Sequence, residues 1–181
     1  MEISRKEQAK RRMMFVAGED AYFLTYTLFV QLGSLKCTSP EALLKDYRKA
    51  VFLADFVSSP SLSRILLELQ SETYVAKSED KRILWAAYDR GVARLPLMFR
   101  LLYALEQRGL IGVVKDEHSR TLDIYAKDMS TLEFFATGDL YEVERKAMLS
   151  IRKVNPKIRT VTLPYMLERF FGKQGVRTWL D

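Results

Sequence analysis

Apolar residues along this chain recur with two different periods, and the change of period is the most informative feature of the pattern. Met98, Leu101, Leu102 and Leu105 fall at i, i+3, i+4 and i+7, which predicts an amphipathic helix stopped by Arg108-Gly109. Ile111 and Val113, then Leu122 and Ile124, alternate instead, predicting two short strands joined by the charged stretch 115–120. Upstream, Ser39-Pro40-Glu41 combines an N-cap side chain, a proline suited to a first helical turn and an early carboxylate, so a helix is expected from there to about Val57. Ser59-Pro60-Ser61 interrupts it, and Leu62, Ile65, Leu66 and Leu69 predict a short second helix. Ser78 before Glu79 and Asp80 predicts another start, with Ile83, Leu84, Ala87 and Tyr88 as its apolar stripe and Gly91 or Pro96 as its end.

Two more helices are expected at about 130–137 and 139–154, the second with Leu140, Val143, Ala147, Ile151 and Val154 on one face and a stop at Asn155-Pro156. A short helix from Pro164 to Phe171 ends before Gly172. Residues 21–35 are apolar nearly all round, which predicts a central core helix, or one buried against a partner. The fold class is therefore mainly α, with a winged-helix-like segment at 94–127 made of a helix and a β-hairpin. With no repeat and no Gly/Ser-rich linker, residues 1–181 read as a single domain.

Composition adds three constraints. A hydrophobic share of 48 % suffices for a packed core. The single cysteine, Cys37, cannot form an internal disulfide, and residues 1–14 are charged where a secretory leader needs an apolar run. Residues 21–35 are fewer than the roughly 20 needed to span a bilayer, so the chain is expected to be cytoplasmic and not to engage a membrane. The net charge of +6 is concentrated at the ends. Five basic residues against two acidic ones precede residue 13, where Arg5, Lys6, Lys10, Arg11 and Arg12 read as a basic arm or a first helix, and nine against three fall in 144–181. The remainder is net acidic, so contact with a polyanion should use the ends and local patches.

Candidate chemistry is sparse. The one histidine, His118, stands in the charged hairpin turn, away from any nucleophile–base pattern. Cys37, between Lys36 and Thr38, reads as a small buried hydrophobe, with an activated thiol as the alternative. Glu79-Asp80-Lys81 matches one half of a metal-dependent nuclease motif, but the acidic residue on a nearby strand is missing, and a capped helix start accounts for the same residues. No glycine-rich phosphate loop is present. No metal or cofactor is expected, and the chain should act by binding.

Binding is expected along two basic surfaces. Placing Met98, Leu101, Leu102 and Leu105 inward turns Arg100, Tyr103 and Gln107 outward, and Lys115, His118 and Arg120 then fall at the wing tip, where contacts to duplex DNA would form. Arg145 with Arg152, and Lys146 with Lys153, are pairs seven residues apart that predict a basic ridge within a basic C-terminal region at 139–181. A solvated helix face and turn are the plainer reading of both sets.

The stretch from Lys45 to Pro60, and residues 95–105 leading through Arg108-Gly109-Leu110-Ile111 into the hairpin, resemble the middle component of the ABC-three-component systems, the small subunit of Lamassu-type bacterial defence operons. The resemblance covers about a third of the chain and transfers no catalytic residue. It implies a non-catalytic adaptor packed on an SMC-like ATPase, helping it sense foreign DNA and holding an effector nuclease in check. The alternatives are a winged-helix transcription regulator, which would be a dimer on a palindromic duplex, and a small metal nuclease using Glu79 and Lys81.

Overall fold

The computed structural model describes residues 20–71, 73–118 and 120–180. The expected basic arm at 1–14 lies outside them. In chain order the elements are α1 (Asp20–Ser34), α2 (Arg48–Ser58), α3 (Pro60–Glu68), α4 (Ser78–Gln107), β1 (Ile111–Asp116), β2 (Thr121–Ala126), α5 (Met129–Thr137), α6 (Glu142–Val154) and α7 (Leu163–Phe170), with 3-10 turns at Asp139–Tyr141 and Gly172–Gln174. The fold is mainly α with one antiparallel hairpin, paired from Ile111 opposite Ala126 to Asp116 opposite Thr121.

Helices α1 and α2 lie at the centre, because their apolar residues occupy nearly every direction round the axis. Leu24, Leu28, Phe29, Val30 and Leu32 of α1 are buried, as is every residue of α2 from Lys49 to Val57. α1 is thus a core helix of this chain, which removes the expectation that it is buried against a partner. At Pro60 the chain turns by 101° between α2 and α3, with Ser59 extended and its hydroxyl accepting from the Leu62 N–H. Among the described residues no single helix is long and apolar enough to cross a membrane.

Two sequence expectations fail for tertiary reasons. No helix starts at Ser39; residues 37–47 run beside β2, where Leu44 and Ile124 exchange both backbone hydrogen bonds (2.8 and 3.1 Å) and Cys37 O accepts from Ala126 N at 2.8 Å. Pairing with a sheet edge satisfies these backbone groups, and the local N-cap signal loses to it. Neither Gly91 nor Pro96 ends a helix: α4 runs unbroken through 30 residues, about 45 Å at 1.5 Å per residue. Gly91 is required for packing, since a Cβ there would stand 2.5 Å from the Phe52 ring, and Pro96 lies on the exposed side.

The remaining helices have their apolar faces where spacing places them, with one exception. In α6 the buried seam is Glu144, Ala147, Met148, Ile151 and Val154, whereas Val143 is exposed. Ala147, Ile151 and Val154 are where the spacing puts them, and only the first turn differs, where the 3-10 turn at 139–141 delays the helix start to Glu142. α1 ends in a Schellman cap with Lys36 in the left-handed region at φ 55°, where Cys37 N–H reaches Leu32 O at 2.9 Å. α4 ends the same way with Gly109 at φ 71° and Leu110 N–H on Leu105 O at 3.0 Å. That cap turns the chain from α4 into β1.

Three polar contacts lock the layers together. Asp55 of α2 accepts from Arg90 Nε and Arg94 Nη1 of α4, each at 2.8 Å, and Arg94 also stands over the Phe23 ring of α1 at 4.6 Å. The Arg64 guanidinium and the Tyr74 hydroxyl both donate to buried Asp80, and the arginine first, then the phenol, hold its carboxyl below the usual range. Lys49 of α2 is fully buried, and its ammonium donates to the carbonyls of Ile158 (2.8 Å), Arg159 (3.0 Å) and Val161 (2.8 Å), pinning the loop between α6 and α7.

Candidate functional site: the exposed faces of α4 and the hairpin

Helix α4 buries Met98, Leu102 and Leu105 with Leu101 half-buried, as its spacing predicts, and this leaves Arg100, Tyr103 and Gln107 exposed. Phe99, one turn before Tyr103, is exposed as well. On the hairpin, the face formed by Ile111, Val113 and Lys115 with Ala126, Ile124 and Leu122 turns toward the core, buried at its base and open toward its tip. A groove of about 300 Å³ therefore opens between the last turns of α4 and the distal hairpin, lined by Phe99, Arg100, Leu102, Tyr103, Glu106, Val113 and Leu122. Tyr47 lies near two of these residues: its backbone N–H donates to Leu122 O at 2.8 Å, and its ring lies 6.3 Å from that of Phe99.

Of the residues singled out as DNA contacts, Arg100 and Tyr103 meet in this groove, and Lys115 stands at its edge as the cross-strand neighbour of Leu122. Gln107 lies further along the same helix, and His118 and Arg120 occupy the exposed hairpin turn. Arg120 sits there at φ 54°, and Asp116 accepts from the His118 N–H at 2.9 Å, so the turn itself engages part of this set. The groove centre is apolar. Its surroundings mix Arg100, Arg108, Lys115 and Arg120 with Glu106, Asp116 and Glu117, which is not a uniformly basic face.

The expected ridge on α6 does not assemble as four free cations. Arg145 is half-buried and donates to Gly138 O at 2.6 Å and Phe135 O at 3.3 Å, closing the end of α5. Lys146 pairs with Glu142 at 2.7 Å, and the Arg152 guanidinium approaches Ser34 O at 3.4 Å, at the carbonyl end of α1. Lys153 is exposed. Moreover α6 packs on α1, α2 and α3, whereas the hairpin packs on α4 and α1, so the two basic sets are carried by separate elements.

The candidates for chemistry have structural employment. Cys37 is buried as the apolar closing residue of the α1 cap, and burial pushes its thiol up to about 12. Glu79 pairs with Arg82 at 2.8 Å, and Asp80 is held by Arg64 and Tyr74. Lys81 approaches the C-terminal segment at Gly175. Among the described residues no group of three His, Cys, Asp or Glu side chains could hold a metal ion.

A second exposed aromatic surface, not expected from the sequence, lies on the first half of α4. Trp85 is 41 % exposed and Trp179 51 %, with ring centroids 5.5 Å apart. The C-terminal segment is held there by the Trp179 N–H donating to Tyr88 Oη at 2.9 Å, with the Trp179 ring edge-on to Tyr88 at 4.8 Å. Residues 94 positions apart meet here, and no spacing rule foretells the pairing. No protein-family model matches the chain, and comparison with curated proteins and with solved structures gave no match.

Proposed function

We propose that this chain is a non-catalytic adaptor subunit that joins a protein partner to nucleic acid, working in bacterial anti-phage or anti-plasmid defence as an accessory of an SMC-like ATPase and its effector nuclease. The observation that carries the reading is the division of α4 into two exposed aromatic surfaces, Trp85 with Trp179 toward one end and Phe99 with Tyr103 toward the other. Trp85 and Tyr103 are 18 residues apart in the helix, about 27 Å along its axis, so two partners can be engaged at once. Tryptophan pairs that are half exposed and rigidly seated are the kind of anchor that protein interfaces bury. The residues that looked most like catalytic groups are spent on caps, ion pairs and packing, which favours binding over chemistry. The partner's identity and the setting in defence rest on the sequence resemblance.

Co-expression of the tagged chain with its genomic neighbours tests this reading. Recovery of a complex containing a long coiled-coil ATPase, lost with Trp85→Glu while the fold survives, is the expected result. A lone chain under the same conditions refutes it.

A second reading, a winged-helix transcription regulator on duplex DNA, is favoured by one observation: residues 37–47 run along β2 as a third, strand-like edge, as in a winged helix. Against it, recognition helices present their N-terminal residues to base edges, whereas residues 94–107 here are the second half of a continuous helix with no free N-terminus. A dimer protecting a palindromic duplex would establish this reading in place of the adaptor.

A further inference from the structure

We infer that the groove between α4 and the hairpin is a binding site for unpaired nucleic acid, with bases stacking on Phe99 and Tyr103 and with Arg100 and Lys115 meeting the phosphates. An exposed aromatic residue alone is ordinary. Here Phe99 (54 % exposed) and Tyr103 (66 %) stand at i and i+4 on one face of α4 and line a groove with Val113 and Leu122, with the Tyr47 ring 6.3 Å from Phe99. Aromatic rings interleaved with cations beside a groove are what single strands recognise, because every base has a stacking face and every linkage a charge.

Spacing separates a single strand from a duplex. Four residues of helix advance about 6 Å, wider than the roughly 3.4 Å per nucleotide of a duplex strand. Two rings so placed suit the bases of an extended strand. In a duplex the base faces are already stacked on one another, and exposing them costs unstacking. Charge agrees: Arg100 lines the groove and Lys115 borders it, and no described carboxylate pairs with either. Glu106 also lines the groove and opposes phosphate, so the backbone must run on the Arg100 and Lys115 side. Two cations and two rings provide for a short strand, and the mixed charge of the hairpin tip gives little to the denser phosphates of a duplex.

The site deepens the adaptor reading by naming the ligand at one end, and it rests on that reading only for the protein bound at the other. Loss of the ATPase complex with strand binding intact would overturn the adaptor and leave the site; the reverse would overturn the site alone.

The test is fluorescence anisotropy of the full chain with a labelled oligothymidylate of about 12 nucleotides, with the same strand annealed to oligoadenylate, and with labelled polyglutamate. The expected result is at least about tenfold tighter binding of the single strand than of the duplex, with each of Phe99→Ala and Tyr103→Ala weakening it about tenfold and Tyr103→Trp retaining it. Arg100→Ala should lower the salt slope by about 0.7, the contribution of one single-strand phosphate, and Glu106→Gln should tighten binding. Because both rings are exposed, unfolding midpoints of these variants should match the parent. Equal affinity for duplex, or a Phe99→Ala/Tyr103→Ala double variant that still binds the strand, overturns the proposal. Polyglutamate binding that the same double variant abolishes would assign the groove to an acidic polypeptide and overturn it too.

Discussion

Replacing Lys49 by methionine removes a charge and three hydrogen bonds while keeping a side chain of similar length and volume. The Nζ atom of this fully buried residue meets the carbonyls of Ile158, Arg159 and Val161 at 2.8–3.0 Å. Arg159 O also accepts from the Lys45 N–H, so Lys49→Met leaves chiefly the Ile158 and Val161 carbonyls without a donor. Each such orphan costs about 1–3 kcal/mol, and relief from burying an ammonium returns part of that, so a net loss of about 3 kcal/mol is expected. For a chain of this size the melting temperature should fall by roughly 6–12 °C. Burial pulls the lysine pKa down to about 8, below its usual value near 10.4 in an unfolded chain. Between those limits the unfolded state binds more protons at this site, so Lys49 adds stability as pH rises from about 8 to about 10, and the gap between parent and variant widens. Urea unfolding followed by tryptophan fluorescence at pH 7 and pH 10 measures both effects. A variant within about 1 kcal/mol of the parent at pH 7, or a gap that narrows toward pH 10, would refute the reasoning.

Gly91→Ala should destabilise by about 1–3 kcal/mol although alanine is the better helix former, because the new methyl meets the Phe52 ring; chemical denaturation that shows stabilisation would rule out that contact. Lys36→Gly should stabilise by about 0.5–1 kcal/mol, since Lys36 holds a left-handed φ of 55° at the α1 cap; a lower thermal midpoint would contradict it. With its thiol at about 12, Cys37 should resist iodoacetamide in the folded chain at pH 8 and react once urea unfolds it; labelling of the native chain at a free thiol's rate, read by mass spectrometry, would show that the thiol is accessible.

Where local signals and packing agree, the sequence was enough. The α4 seam at Met98, Leu102 and Leu105, the Gly109 stop and the alternation in 111–126 each depend on residues within a few positions, and the structure has a helix, a Schellman cap and a hairpin in that order. The outward direction of Arg100 and Tyr103 follows from the same seam. Glycine and proline in α4 misled because their effect depends on the neighbour: Gly91 carries the Phe52 ring, and Pro96 faces outward.

Tertiary structure alone decided three matters. Residues 37–47 lie beside β2 because a sheet edge at least 75 residues away satisfies their backbone groups better than a helix would. On α6, Arg145 caps a helix end, Lys146 pairs with a carboxylate and Arg152 approaches a carbonyl, while Lys146, Arg152 and Lys153 stay exposed. Trp85 met Trp179, and Phe99 and Tyr103 met Val113 and Leu122, through contacts between distant parts of the chain. Periodicity reports which face of an element is apolar, because neighbouring residues share one geometry. What that face meets, and whether a cation stays free for a ligand, depends on residues far away in sequence, and only the folded chain brings them together.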